Sequence, residues 1–233
     1  MSLLNKKSFE VRDHSISGEK FYLKYNQDYE LWSTEPKPGL NELDKYYESS
    51  EYISHTDSNK NFTEFLYQLV KKWTFSYKFK LISNFSKGSK ILDLGAGTGD
   101  FLAEAKVRNW QVDGIEPNNN ARDLALKKGI ALKNDKSEIS DTFDVISMWH
   151  VLEHVYDLME YIKFLKRHLK AQGLLLIAVP NYNSYDAKFY GSQWAALDVP
   201  RHLHHFSSSA IIKIFGEVDL VLVKKKPLFF DSF

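Results

Sequence analysis

A chain of 233 residues, 43% of them hydrophobic, can bury one sizeable core, as a single large domain or a domain with a small appendage. A formal net charge of +1 gives no bulk pull toward nucleic acid or an anionic membrane surface, so a small-molecule partner is expected, with oligomeric state open. The absence of cysteine removes disulfides, thiolate nucleophiles and thiolate zinc sites together. The polar N-terminus has no secretory pattern and no apolar run could span a bilayer, so a soluble cytoplasmic protein is expected.

Residues 5–35 read as β-rich, with Phe9, Val11, Ile16, Phe21, Tyr22 and Leu23 in short runs and a turn at Ser17-Gly18. Pro36 to Gly39 is a break. Residues 40–60 set Leu43, Tyr46, Tyr47, Tyr52, Ile53 and His55 in a polar background. So short a segment cannot form its own core and is expected to pack on the main domain, as a lid over a ligand mouth or as plain aromatic packing. Residues 1–60 are thus read as an appendage and lid, and 61–233 as the main domain. From Asn61 to Asn84 the spacing of Phe62, Phe65, Leu66, Leu69, Val70 and Trp73 predicts a helix with a core-facing stripe.

From Lys90 strands and helices alternate. Strands are expected at 90–94, 111–116, 130–133, 143–148, 174–179 and 220–223. Helices are expected at 100–108, at 118–128 with Asn118 to Asn120 near its cap, at 158–170 stopped near Gly173, and at 207–215. This alternation implies an α/β fold with a doubly wound, mostly parallel sheet, whose ligands sit at the carboxyl ends of the strands. Residues 180–206 form a long connection, and Lys224 to Lys226 a solvated face.

The stretch Lys90 to Glu116 carries the chemistry. Ile91, Leu92 and Leu94 stop at Gly95, Gly97 and Gly99, where the backbone can turn tightly and approach a ligand. The spacing is G-x-G-x-G, not the G-x-G-x-x-G of a pyrophosphate loop, and no Gly-Lys-Ser/Thr closes a P-loop. Asp93 and Asp100 flank the turn; they repel a phosphate and suit an ammonium. Glu116, at the tip of the next strand, can accept both ribose hydroxyls of a nucleoside. A nucleoside carrying an amino acid and no phosphate is required, and S-adenosylmethionine fits that description.

Asp93-Leu-Gly-Ala-Gly-Thr-Gly99 with Glu116 resembles motifs I and II of the class I S-adenosylmethionine-dependent methyltransferases. Pro180-Asn181, Trp194 and Asp198-Val-Pro-Arg-His-Leu-His-His-Phe-Ser207 resemble the signature of a bacterial subgroup, the methyltransferase 23 type. The resemblance implies a Rossmann-like methyltransferase fold and an enzyme that converts S-adenosylmethionine to S-adenosylhomocysteine while methylating oxygen or nitrogen of a small-molecule or sugar-containing acceptor. It implies a cofactor site of Asp93, Gly95, Ala96, Gly97, Glu116, Pro117, Asp135 and Trp149. A non-catalytic cofactor-binding module and an RNA methyltransferase are the alternatives. The family's sheet has seven strands, and two phenylalanines near the end are poor design for a soluble terminus. The last strand is therefore expected to be missing and the natural chain to continue beyond Phe233.

Two clusters could act on the acceptor. In Trp149-His-Val-Leu-Glu-His154 the spacing could put His150, Glu153 and His154 on one helical face. His150 or His154 is a candidate general base, as is His205 of the second cluster. No metal is expected, although His150, Glu153 and His154 resemble the Glu-x-x-Glu-His metal site of ubiquinone-pathway O-methyltransferases, with His150 replacing the first Glu. A structural role for the segment is the third reading. In the second cluster Trp194, Arg201 and His202 are candidate substrate contacts, Arg201 as a fixed cation; the competing reading ties Arg201 to Asp198.

Overall fold

The computed structural model describes residues 8–39, 41–47 and 62–228. In chain order the strands are β1 (Ser8–Arg12), β2 (Lys20–Asn26), β3 (Leu31–Glu35), β4 (Lys90–Leu94), β5 (Gln111–Ile115), β6 (Phe143–Trp149), β7 (Leu169–Ala178) and β8 (His204–His205). The helices are α1 (Phe62–Phe85), α2 (Asp100–Val107), α3 (Asn119–Lys127), α4 (Leu158–His168), α5 (Tyr185–Tyr190) and α6 (Ser208–Gly216). The chain divides into two compact units, and neither is continuous in sequence. Among the described residues the first draws on 8–47, 152–161 and 179–223, the second on 62–151, 162–178 and 224–228.

The first unit is built on an antiparallel sheet of order β1-β2-β3-β8. Alternation along β1 and β2 puts Phe9, Val11, Phe21 and Leu23 on one face, as period two requires. They pack with Trp32, Tyr46, Tyr182, Leu197 and Val199. Asp13 organises the turn after β1, accepting from Ser15 N (3.0 Å), Ser17 N (2.9 Å) and Ser17 Oγ (2.8 Å). Residues 8–35 therefore share a sheet with a strand from the 180–206 connection. Of the aromatic segment at 40–60, Tyr46 is in this core, and its hydroxyl donates to Glu19 Oε2 at 2.6 Å. Tyr52, Ile53 and His55 lie outside the described residues.

The second unit holds a parallel sheet of order β5-β4-β6-β7. The chain steps to one side of β4 through α2 and to the other through α3, so β4 stands at the switch point, where a ligand crevice opens. Its core joins Ile82, Ile91, Leu102, Ala105, Ala125, Ile130 and Val145, with Phe79 stacked on Phe101 at 5.0 Å.

Four expectations are corrected. Residues 130–133 form no strand: a single bridge joins Lys133 to Ile115. Residues 220–223 form no strand either, because no ladder partner meets them among the described residues; Val221 is 83% exposed. β7 starts at Leu169, not 174, and Gly173 lies inside it at an outward bulge where Lys170 to Gln172 are exposed. As the edge of the described sheet, it leaves Leu175 to Ile177 only partly buried. Finally, the inward face of α1 does not include Trp73, which is 58% exposed; Phe75, Phe79 and Ile82 take that role.

Candidate active site

The glycine turn follows β4 with Gly95, Gly97 and Gly99 at φ of 68°, 52° and 74°, in the left-handed region that L side chains avoid. A Cβ at Gly95 would stand 2.4 Å from Val151 Cγ2, whereas one at Gly97 would meet nothing within 4 Å. Gly95 is thus required by packing, and Gly97 faces open space. Gly95→Ala is expected to displace the turn and abolish cofactor binding, read by titration with S-adenosylhomocysteine.

Glu116 fastens the turn. Its Oε2 accepts from Gly97 N and its Oε1 from Asn118 N, both at 2.9 Å. A carboxylate has about four acceptor sites, so capacity remains for ribose hydroxyls. Ala96 N donates to Ile115 O at 2.9 Å, and Arg122 Nη1 donates to Glu116 O (2.7 Å) and Pro117 O (2.6 Å). Asp135 is exposed and closes a capping box with Glu138, which holds its carboxyl below its usual range, the Ser137 backbone bond contributing most.

Asp93 is buried and accepts from Ser147 Oγ at 2.6 Å. Burial drives its carboxyl up to about 7, and Glu116 adds to the rise; the Ser147 bond and the Lys78 charge oppose it. Trp149 ends β6, one strand over. Its indole Nε1 is buried with no hydrogen-bond partner, and the Lys78 ammonium lies 3.8 Å from its ring centroid. His150 follows with φ of 56°, its N–H donating to Ala178 O at 3.0 Å. A left-handed non-glycine residue stores strain, and such residues cluster at functional sites. An open glycine cradle, a buried acid, a half-buried Glu116 and an orphaned indole donor fit a nucleoside–amino acid cofactor. This unit alone brings together Asp93, Gly95, Ala96, Gly97, Glu116, Pro117, Trp149 and His150.

The second cluster lies in the first unit. Arg201, expected to meet an anionic group on a substrate, is 4% exposed and spent internally. Its Nε donates to Asp198 (3.0 Å), its Nη1 to Tyr46 O (3.0 Å), and its Nη2 to Asp13 Oδ1 (3.0 Å) and Asp198 Oδ1 (2.6 Å). His205, a candidate base, is also corrected. Thr34 Oγ1 gives its proton to His202 O at 2.6 Å, so His205 Nε2 donates to that hydroxyl at 3.0 Å. Burial first, then its neighbouring histidines, holds the ring well below its usual range, so it is a neutral internal tie.

His154 and His202 are arranged differently. Each Nδ1 meets a backbone carbonyl, His154 that of Arg201 (3.0 Å) and His202 that of Ala196 (2.9 Å), and His202 Nε2 lies 4.0 Å from Asp198 Oδ2. The rings meet edge-on at 4.6 Å. Ligand atoms of Glu153, His154 and His202 lie within 4.8 Å of one another. Carbonyl-fixed imidazoles beside a carboxylate could hold a divalent cation. His202, not His150, completes this set with Glu153 and His154. Trp194 lines a cavity of about 400 Å³ in the same unit, with His14, Gln193 and Leu197.

Sequence reasoning missed three residues that shape these sites: Asp13, Arg122 and Lys78. Lys78 had a readable signal, since it falls three after Phe75 and four before Ile82, in phase with the buried face of α1. Asp13 and Arg122 had none, because their partners are distant residues or backbone carbonyls.

The methyltransferase domain family of the methyltransferase 23 type matches residues 67–225. A ubiquinone biosynthesis O-methyltransferase of Rickettsia prowazekii is 27% identical over 209 residues, 82% of this chain and 81% of its own length. The protein of that name from Haemophilus ducreyi is 28% identical over 185 residues, 71% of this chain and 75% of its own. Among solved structures, magnesium protoporphyrin IX methyltransferase of Synechocystis PCC 6803 with bound S-adenosylhomocysteine aligns at a TM-score of 0.59, with 14% identity, over 80% of this chain and 91% of that one. A methyltransferase of Thermotoga maritima aligns at 0.51, with 18% identity, over 67% and 76%. At such identities these structures show the fold. No helix among the described residues is long and apolar enough to cross a membrane.

Proposed function

The chain belongs to the methyltransferase domain family and is an S-adenosylmethionine-dependent methyltransferase of Rossmann-like fold, and we propose that it methylates a hydroxyl oxygen of a small-molecule acceptor in the cytoplasm. The observation that carries the cofactor half is the tie of Gly97 N–H to Glu116 Oε2 beside the buried Asp93. The O-methyltransferases among its relatives support the acceptor half.

Asp93 meets the ammonium of the cofactor's amino acid, Glu116 the ribose hydroxyls, and Gly95, Ala96, Gly97 and Pro117 line the backbone cradle between them. Asp135 borders the base. The cofactor supplies a methyl group already activated on a sulfonium, so the protein's own tasks are to orient, exclude water and remove one proton. We assign the proton to His150, beside Trp149 at the carboxyl end of β6. Trp194 and His202 are the candidate acceptor contacts, with His202, Glu153 and His154 together as the alternative cation-holding set.

His150→Asn keeps a residue that tolerates positive φ and removes the base. It is expected to lower kcat about 100-fold or more with S-adenosylhomocysteine affinity unchanged. Transfer of labelled methyl to a panel of hydroxylated aromatic, sugar and amine acceptors tests the oxygen reading. Label on oxygen supports it, whereas label on nitrogen alone, on RNA, or cofactor binding without transfer to any acceptor contradicts it.

A further inference from the structure

Arg122 lies close to the start of α3, whose first turn carries no acidic residue. Unpaired backbone N–H groups make that end of a helix positive, so a cation there is disfavoured unless other groups answer it. Here two carbonyls and two side-chain amides do so. Arg122 Nη1 donates to Glu116 O (2.7 Å), Pro117 O (2.6 Å) and Asn134 Oδ1 (3.0 Å), and Nη2 donates to Asn119 Oδ1.

These oxygens belong to two walls of one crevice in the second unit. Glu116 follows β5, and its carboxylate takes the Gly97 N–H at 2.9 Å. The segment beside it runs in step as far as Lys133: Glu116 N donates to Lys133 O and Lys133 N to Gly114 O, both at 2.9 Å. Past Lys133 the backbone turns to its own partner. Asn134 N and Asp135 N donate to Glu138 Oε1, at 2.9 and 3.0 Å. Asn134 is joined back to Glu116 and Pro117 through Arg122. A guanidinium only donates and its fork is planar, so it holds those three oxygens at a set spacing.

We infer that Arg122 is a positioning residue for the nucleoside half of the cofactor. It fixes the distance between Glu116, which meets the ribose, and the segment at Asn134 and Asp135, which borders the base. This rests on the cofactor reading above. It also accounts for an arginine at the end of α3 where the helix dipole disfavours one.

The test is calorimetric titration with S-adenosylhomocysteine and with methylthioadenosine, which keeps the nucleoside and lacks the amino acid. Arg122→Met is expected to weaken both by the same factor, about tenfold, so that the ratio of the two affinities stays within about twofold of wild type. A residue that only stabilises the fold would lower the urea midpoint and leave both affinities of the folded protein unchanged. A folded Arg122→Met that loses less than about threefold in affinity overturns the inference, and so does one that loses S-adenosylhomocysteine far more than methylthioadenosine. Should Arg122→Met fail to fold, Arg122→Lys carries the test, because a point charge cannot span the same acceptors. Weakening of both ligands by about threefold or more at a kept ratio supports the inference, and wild-type affinity overturns it. Failure of both variants to fold makes the residue structural and overturns it as well. Failure of wild-type protein to bind either ligand overturns the cofactor reading itself, and the inference with it.

Discussion

Arg201→Met is expected to lower unfolding free energy by about 3–5 kcal/mol, the cost of leaving a buried charge without its partner. The side chain of Asp13 is fully buried against Arg201 Nη2, and the same guanidinium binds Asp198 and Tyr46 O. Three segments distant in sequence, at 13, 46 and 198–201, are thus tied by one planar group. Lysine cannot reproduce that fork, so Arg201→Lys is expected to recover only part of the loss. Burial pushes the Asp13 carboxyl up, but the Ser17 and Arg201 bonds outweigh it and bring it down to about 2. A depressed carboxylate contributes stability that is full above its unfolded value near 3.8 and is lost as pH falls through about 2. The wild-type protein should therefore lose about 2 kcal/mol across that acid window, and Asp13→Asn should not. Urea unfolding with the midpoint read at constant m checks both statements. A substrate-binding role for Arg201 predicts the reverse pattern, unchanged stability with a raised KM.

Asp93→Asn is the second large effect. Losing the anion opposite the ligand ammonium is expected to weaken S-adenosylhomocysteine binding by about 10- to 100-fold. The unliganded carboxyl sits at about 7, mainly because burial penalises its charge. A folded-state value raised above 3.8 means that its contribution to stability is full below that pH and is lost as pH rises through about 7. The ligand's ammonium favours the ionised form. Affinity should therefore rise with pH toward about 7 and then level off, with proton release on binding below that point. Titrations in buffers of different ionisation enthalpy measure the proton count, and Asp93→Asn should abolish it.

Strands β4 and β5 were readable because a glycine or a helix cap closes each, at Gly95 and Asn118. The cofactor turn was readable because glycine spacing and two flanking acids constrain the ligand's charge before any geometry is known. The second cluster was not. Adjacent histidines at 202, 204 and 205 carry one chemistry in sequence, but their roles depend on what meets each ring. His205 meets a threonine already committed to a carbonyl, whereas His202 meets a carbonyl on one nitrogen and the Asp198 carboxylate, at 4.0 Å, on the other. Arg201 likewise looks like a ligand cation until Asp13, 188 residues away, is placed beside it. Secondary structure failed where tertiary partners decide: residues 220–223 have strand propensity and no ladder, and Gly173 marks a bulge instead of a helix end.

The central claim is that the turn from Asp93 to Glu116 holds S-adenosylmethionine through its amino acid and its ribose. Calorimetric titration of S-adenosylhomocysteine into wild-type protein and Asp93→Asn tests it most directly. The account predicts saturable binding at one site per chain and a loss of about tenfold or more in the variant, with unfolding still cooperative. No saturable binding to folded wild-type protein, or equal affinity in the two proteins, would contradict it.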